Sequence, residues 1–157
     1  MADPEIKSPS EYAVLPAGTE VRYGQKGATI TTASLLQSAM AIGATGKKGT
    51  FMEVTRLIDK EPKYMADMGE GEDKTFVFID DPSDTFQEAL LSDAAAKKTV
   101  VFFIKFPNKR ISEVELVLAD WSLQSVDTPK GKVLQVEVYG KQNSIKWSVE
   151  QPAGGGE

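Results

Sequence analysis

Between Asp84 and Phe106 the apolar residues of this chain change period, from one suited to a helix to one suited to a strand. Pro82 stops whatever precedes it. Asp84 is placed to cap a helix, with Gln87 three residues on, and that pair can satisfy two of the free N–H groups of a first turn. Phe86, Ala89, Leu90 and Ala94 recur at helical spacing and form one apolar stripe. Lys97 and Lys98 stand where positive charge suits the C-terminal dipole. The helix is predicted over residues 84–96. Thr99–Phe106 follows, β-branched and aromatic and too short for a second helix, so it reads as a strand. Val100, Phe102, Ile104 and Phe106 share one face, and Val101 and Phe103 make the other apolar too, so both faces are expected to be covered. The local arrangement is a helix laid on a β-sheet.

Strand signals dominate elsewhere. Phe106-Pro107-Asn108 makes a tight turn into Ile111–Ala119, where Val114, Leu116 and Leu118 alternate with Glu113 and Glu115. Trp121–Val126 continues beyond a bulge or bend at Asp120, and Thr128–Gly131 turns into Val133–Tyr139. That strand buries Leu134, Val136 and Val138 and shows Gln135 and Glu137, and Ile145–Val149 reads as a short final strand. Upstream, Gly18–Gly24 sets Val21 and Tyr23 against Glu20 and Arg22, while Phe51–Ile58 and Thr75–Ile79 read as further strands. Thr31–Ile42 is predicted as a short second helix, capped by Thr32 and stopped by Gly43, with Leu35, Leu36, Ala39 and Met40 as its stripe. The fold expected is mainly β (α+β): six to eight strands in a β-sandwich or barrel with one flanking helix. Its packing residues are Phe86, Leu90, Phe102, Ile104, Phe106, Leu116 and Val136, with Trp121 in the core or between subunits.

The 157 residues suit one domain over 17–150 with a self-sufficient core. An N-terminal arm, 1–16, is punctuated by Pro4, Pro9 and Pro16, which are expected to interrupt any regular element. Tyr12, Val14 and Leu15 either pin its second half to the body or to a neighbouring subunit, or fray with it. Residues 151–157 are disordered by composition. With no cysteine there is no disulfide or thiolate chemistry, and with no histidine the commonest metal ligand and general base are missing. A net charge of −5 with no basic patch argues against a reader that grips nucleic-acid phosphates. No apolar run approaches the roughly 20 residues that span a bilayer, and no signal-peptide pattern opens the chain, so it is expected to stay in the cytoplasm where it is made.

The sharper chemical motifs fail on spacing. Gly43–Gly49 sets two lysines among glycines, yet lacks the GxxxxGK[ST] pattern of a phosphate cradle and reads as a flexible loop. Asp67, Glu70, Glu72 and Asp73 fail the D-x-[DN]-x-[DN]-G pattern of a calcium loop and read as a solvated acidic segment. Asp80 and Asp81 are adjacent, so on a strand they point to opposite faces and make no carboxylate pair. Lys105 either pairs with an acid across an interface or snorkels to solvent. No nucleophile, base and orienting group stand together, and no enzyme, cofactor or metal site is expected.

The order of elements resembles the tail tube proteins of phages with long non-contractile tails, the lambda-like group. The matching pieces are Ala89-Leu90-Leu91 ending a helix, the turn Phe106-Pro107-Asn108-Lys109, the segment Asp120–Ser125 and the strand Val133–Val138. Ala17–Val21 is similar to the family's opening A-G-T-x-[LV], and Val54–Asp59 sits where the family carries a strand before its long loop. Three departures stand out: Lys109 where the family often has glycine after F-P-N, Ala119-Asp120 in place of glycine before the tryptophan, and Thr31–Gly49, which looks like an insertion or an alternative to a shorter connection. The resemblance implies a structural virion protein, assembled in the host cytoplasm, that forms hexameric rings stacked into a tail tube. Sheets of neighbouring subunits would join into a lumen-facing barrel through which DNA passes without being held. Glu113, Glu115, Gln135 and Glu137 are its lumen candidates. Tyr12, Val14, Leu15, Lys47, Lys48, Asp67, Glu70, Glu72 and Asp73 are candidates for contacts between subunits or rings. Tape measure, tail tip and tail terminator proteins are the further partners implied, and a membrane is not. The alternatives are another β-sandwich tail or head–tail joining component, or a type VI secretion-like tube protein.

Overall fold

The computed structural model describes residues 5–71, 73–126 and 133–150. Its body is one seven-stranded antiparallel sheet built from β1 (Glu20–Gln25), β2 (Ser34–Leu35), β3 (Ala39–Ile42), β8 (Asp73–Ile79), β9 (Thr99–Lys105), β10 (Arg110–Leu123) and β11 (Gln135–Val149), in the order β2-β1-β9-β10-β11-β8-β3. The two edge strands, β2 and β3, are consecutive in the chain and only residues 36–38 separate them. Three residues reach about 10 Å, so the sheet must curl until its edges nearly meet. The seam is held on one side by the Leu36 N–H donating to the Val21 carbonyl (2.8 Å) and on the other by the Ile79 N–H donating to Ser38 (2.9 Å). The expected sandwich or barrel is therefore a half-barrel made from a single sheet.

That closure explains why Thr31–Ile42 is not helical. Thr29 and Thr32 exchange hydroxyl and backbone hydrogen bonds in a local turn, the usual competitor of a helix in threonine-rich segments. Leu36 is then buried by the seam, and Ala39–Ile42 pairs with β8. The same turn segment lays Ala33 and Ile30 over Val101 and Phe103, covering the second face of β9 as its sequence demands.

The other helix, α2 (Thr85–Ala95), starts where expected. The Asp84 carboxylate accepts from the N–H groups of Phe86 and Gln87. Gln87 does not complete a capping box. Its side chain is buried, accepting from the Asp81 N–H and donating to Ser38 Oγ and the Ile79 carbonyl, each within 2.9 Å, so it ties the helix to the seam. The buried stripe is therefore Gln87, Leu90, Leu91 and Ala94, while Phe86 and Ala89 face solvent. Leu90, Phe102, Ile104, Leu116 and Val136 are fully buried in the concave core, with Phe76 stacked on Phe102 at 4.4 Å, and Phe106 packs at its margin. Trp121, 38% exposed, is not a core residue.

β10 runs straight through the predicted break. Asp120 takes φ 71° and the pairing with β11 shifts between Leu118 and Trp121, so the expected bulge is present within one long strand. β11 likewise absorbs Ile145–Val149. It begins at Gln135, which leaves Leu134 outside the sheet and exposed. Thr128–Gly131 and the tail 151–157 lie outside the described residues.

Candidate assembly surfaces

Three surfaces carry the residues singled out in the sequence. The first is the convex face of the sheet, opposite the core. Alternation along β10 and β11 brings Glu113, Glu115, Gln135 and Glu137 to this one face, half-buried. Several of its other charges are already matched: Glu20 with Arg22 (3.4 Å), Asp73 with Lys141 (3.3 Å) and Lys105 with Glu150 (3.0 Å), the last an acid of the same chain. Glu137 accepts from the Tyr139 hydroxyl (3.2 Å), which also meets Ser122 Oγ at 2.7 Å, and Gln135 donates to the sulfur of Met40. Glu113 and Glu115 have no ion pair among the described residues, although Lys146 lies opposite Glu113 in the register. The face thus keeps an acidic surplus along its middle strands.

The second surface is the N-terminal arm. Pro9 does not break it but opens a one-turn helix, α1 (Pro9–Tyr12), because the first helical position needs no N–H. Ser8 and Glu11 close a capping box around that turn. Tyr12, Val14 and Leu15 remain exposed, and Val14 and Leu15 border an open groove of about 460 Å³ with Ile42, Phe106 and Trp147.

The third is a projecting ribbon. The chain between β3 and β8 folds back on itself through two short ladders, β4 (Lys47–Lys48) with β7 (Glu70–Gly71) and β5 (Phe51–Glu53) with β6 (Tyr64–Ala66). The strand predicted over Phe51–Ile58 is therefore three residues of a ribbon, and Leu57 and Ile58 stand exposed at its turn. Lys47, Lys48 and Asp67 are exposed on it, Asp73 begins β8, and Glu72 lies outside the described residues. Of Glu70 only the backbone pairing with Lys48 is described.

The ribbon's root holds a residue that the sequence reading passed over. Lys74 is 1% exposed, on the core face of β8 beside Phe76. Its ammonium donates to the Gly43 carbonyl (2.6 Å) and Thr45 Oγ1 (2.5 Å) and sits 5.5 Å from the centre of the Phe76 ring. No carboxylate pairs with it among the described residues, and burial pulls its pKa from 10.5 down to about 8. The signal was present: in DKTFVFI, Lys74 shares the parity of Phe76 and Phe78. Beside it, Gly71 lies so close to Gln142 that a side chain there would run into the Gln142 backbone.

None of these surfaces joins a nucleophile to a base, and no group of three or more acidic side chains converges among the described residues. What they offer is exposed contact area, apolar on the arm and the ribbon. The sequence model of the phage tail tube protein family matches residues 14–150. The chain belongs to that family. As a tail tube protein it is a structural component of a virion and not an enzyme. By sequence, no match to a curated protein is found. The fold is similar to that of the sheath/tube terminator structure of an extracellular contractile injection system, PVC (TM-score 0.70, 11% identity, 88% of this chain and 99% of that one). It is also similar to the tail of an empty GTA particle (0.65, 11%, 88% and 100%) and to the SPP1 tail tube (0.55, 12%, 84% and 77%). At these identities the likeness is one of fold. No described helix is long and apolar enough to cross a membrane.

Proposed function

We propose that this tail tube protein assembles with itself into stacked hexameric rings that form the tail conduit through which a phage ejects DNA into its host. The observation that carries the reading is the exposed apolar surface of the ribbon and the N-terminal arm on a chain whose sheet core is otherwise closed. Patches of that kind on a soluble domain mark interaction sites, and family membership makes copies of the same chain their natural partners. The convex face is the proposed lumen wall. Glu113, Glu115 and Glu137 would repel phosphates that a basic wall would trap, with Gln135 on the same face. Assembly would take place in the host cytoplasm, with tape measure, tail tip and tail terminator proteins setting length and ends.

Electron microscopy of the purified protein over a concentration series, with light scattering, tests this. Rings or tubes with a central channel are the expected result. A particle that stays monomeric even with tail-tip complex as seed would refute the tube and favour a joining component, a role compatible with the terminator structure among its fold relatives.

A further inference from the structure

The ribbon leaves the sheet through a short stretch that no ladder secures. β3 ends at Ile42 and β4 begins at Lys47, and residues 43–46 run between them outside any strand. Among the described residues three hydrogen bonds hold that stretch. The Gly43 N–H donates to the Thr75 carbonyl (3.2 Å), and the Lys74 ammonium supplies the other two, to the Gly43 carbonyl and Thr45 Oγ1. Glycine is concentrated at the same place. Gly43, Gly46 and Gly49 lie on the outgoing limb and Gly69 and Gly71 on the returning one, whereas residues 50–68 contain none. Gly46 holds φ 131°, a conformation open to glycine, at a point where a Cβ would meet Trp147 Cζ2 at 3.6 Å.

We infer that this root is a hinge and Lys74 its latch. While the ammonium grips Gly43 and Thr45 the ribbon keeps one direction; once released, the ribbon swings as a unit. These contacts lie within one chain, so the inference is independent of the proposed self-assembly. Three features favour a latch over a lysine that merely fills the core. Lys74 stands on the core face of β8, where an apolar side chain would pack without the desolvation that a cation carries. Both of its acceptors belong to the stretch that lacks ladder pairing, and neither to the sheet. The rest of the root supplies no substitute. The pairing of β4 with β7 ties the two limbs to each other and not to the sheet. Gly71 lies against the Gln142 backbone, yet the buried Gln142 amide has no hydrogen-bond partner and so does not anchor the returning limb.

The chain has no cysteine, so two introduced thiols can carry a pair of spin labels. Lys60→Cys places one at the far end of the ribbon and Glu88→Cys the other on α2, both at exposed positions. From Lys48 to Ile58 is about ten residues of extended chain, roughly 33 Å, so a swing of about 20° moves the far label by about 11 Å. Pulsed electron paramagnetic resonance reads the distance between the labels, at a concentration where light scattering finds the single chain. With Lys74 in place one narrow distance is expected. In Lys74→Met the distribution should broaden by about 10 Å while denaturant unfolding shows the fold retained. Thr45→Val, which removes one of the two acceptors, should broaden it by less, and it carries the test if Lys74→Met does not fold. A distribution that stays narrow in the folded variants, or one already broad in the parent, overturns the latch.

Discussion

The buried ammonium of Lys74 gives the sharpest thermodynamic test of the fold. Its pKa falls from 10.5 to about 8 because burial disfavours the charged form. The folded protein therefore releases this proton more readily than the unfolded chain does. Below pH 8 both states are charged and the fold bears the full penalty, about 3 kcal/mol from the gap between the two values. Between pH 8 and 10.5 the unfolded state holds more protons, so stability rises with pH. Lys74→Met keeps an unbranched side chain, one atom shorter, and removes the charge. It also leaves the Gly43 carbonyl and Thr45 Oγ1 without their donor, a cost of about 1 kcal/mol each at a site water can reach. The variant should therefore match the parent within about 1 kcal/mol at pH 7.5. From pH 7.5 to 10 the parent should gain about 2 kcal/mol relative to the variant. Denaturant unfolding of both proteins at the two pH values measures this difference. Tyr23, whose pKa is raised by burial and by Asp93, titrates in both and cancels. Parallel pH profiles would refute the claim that Lys74 is a desolvated cation.

Leu90→Ala should cost about 3 kcal/mol, as for a fully buried leucine, whereas Phe86→Ala on the same helix should stay within about 0.5 kcal/mol in unfolding titrations of the single chain. Lys109→Gly and Asp120→Gly should each stabilise by about 0.5–1 kcal/mol by thermal denaturation, because both residues hold a left-handed backbone and lose only exposed, loose ion pairs. Gly71→Ala should open the ribbon's root, read as faster hydrogen exchange in β4 and β7, since its side chain would collide with the Gln142 backbone. Glu113→Lys with Glu115→Lys should leave the stability of the single chain within about 1 kcal/mol, since neither has an ion pair to lose among the described residues. If the convex face lines the lumen, the same change should make assembled tubes retain DNA in a salt-dependent way.

Local chemistry made the strands and the main helix legible, and long-range closure was what the sequence concealed. Asp84 announces α2 because a cap acts within three residues. Its buried stripe could not be read by hydropathy, since Gln87 faces inward to meet Ser38 and Ile79, partners from the closing seam. Thr31–Ile42 misled for the same reason: its Leu36 and Ala39 are apolar at a spacing that fits a helix, and only the meeting of β1 with β8 across residues 36–38 buries Leu36 in the seam and makes Ala39 a strand residue. Two of the departures from the family's pattern, by contrast, marked real features. Lys109 and Asp120 stand where glycine was expected, and both adopt the positive φ that glycine favours.

The assembly surfaces divide along the same line. Period-two alternation was enough to put Glu113, Glu115, Gln135 and Glu137 on one face, because a strand fixes parity regardless of what lies around it. It was not enough to say what covers Trp121, expected in the core or between subunits, or the strand expected over Phe51–Ile58, whose apolar residues are exposed. Periodicity reports that a face is to be buried without saying by which chain. In a protein that folds alone, apolar pattern and single-chain burial coincide. Here they part company at the ribbon and the N-terminal arm. Residues that the pattern commits to burial and that the chain's own fold leaves uncovered are where the proposed assembly would seat its neighbours.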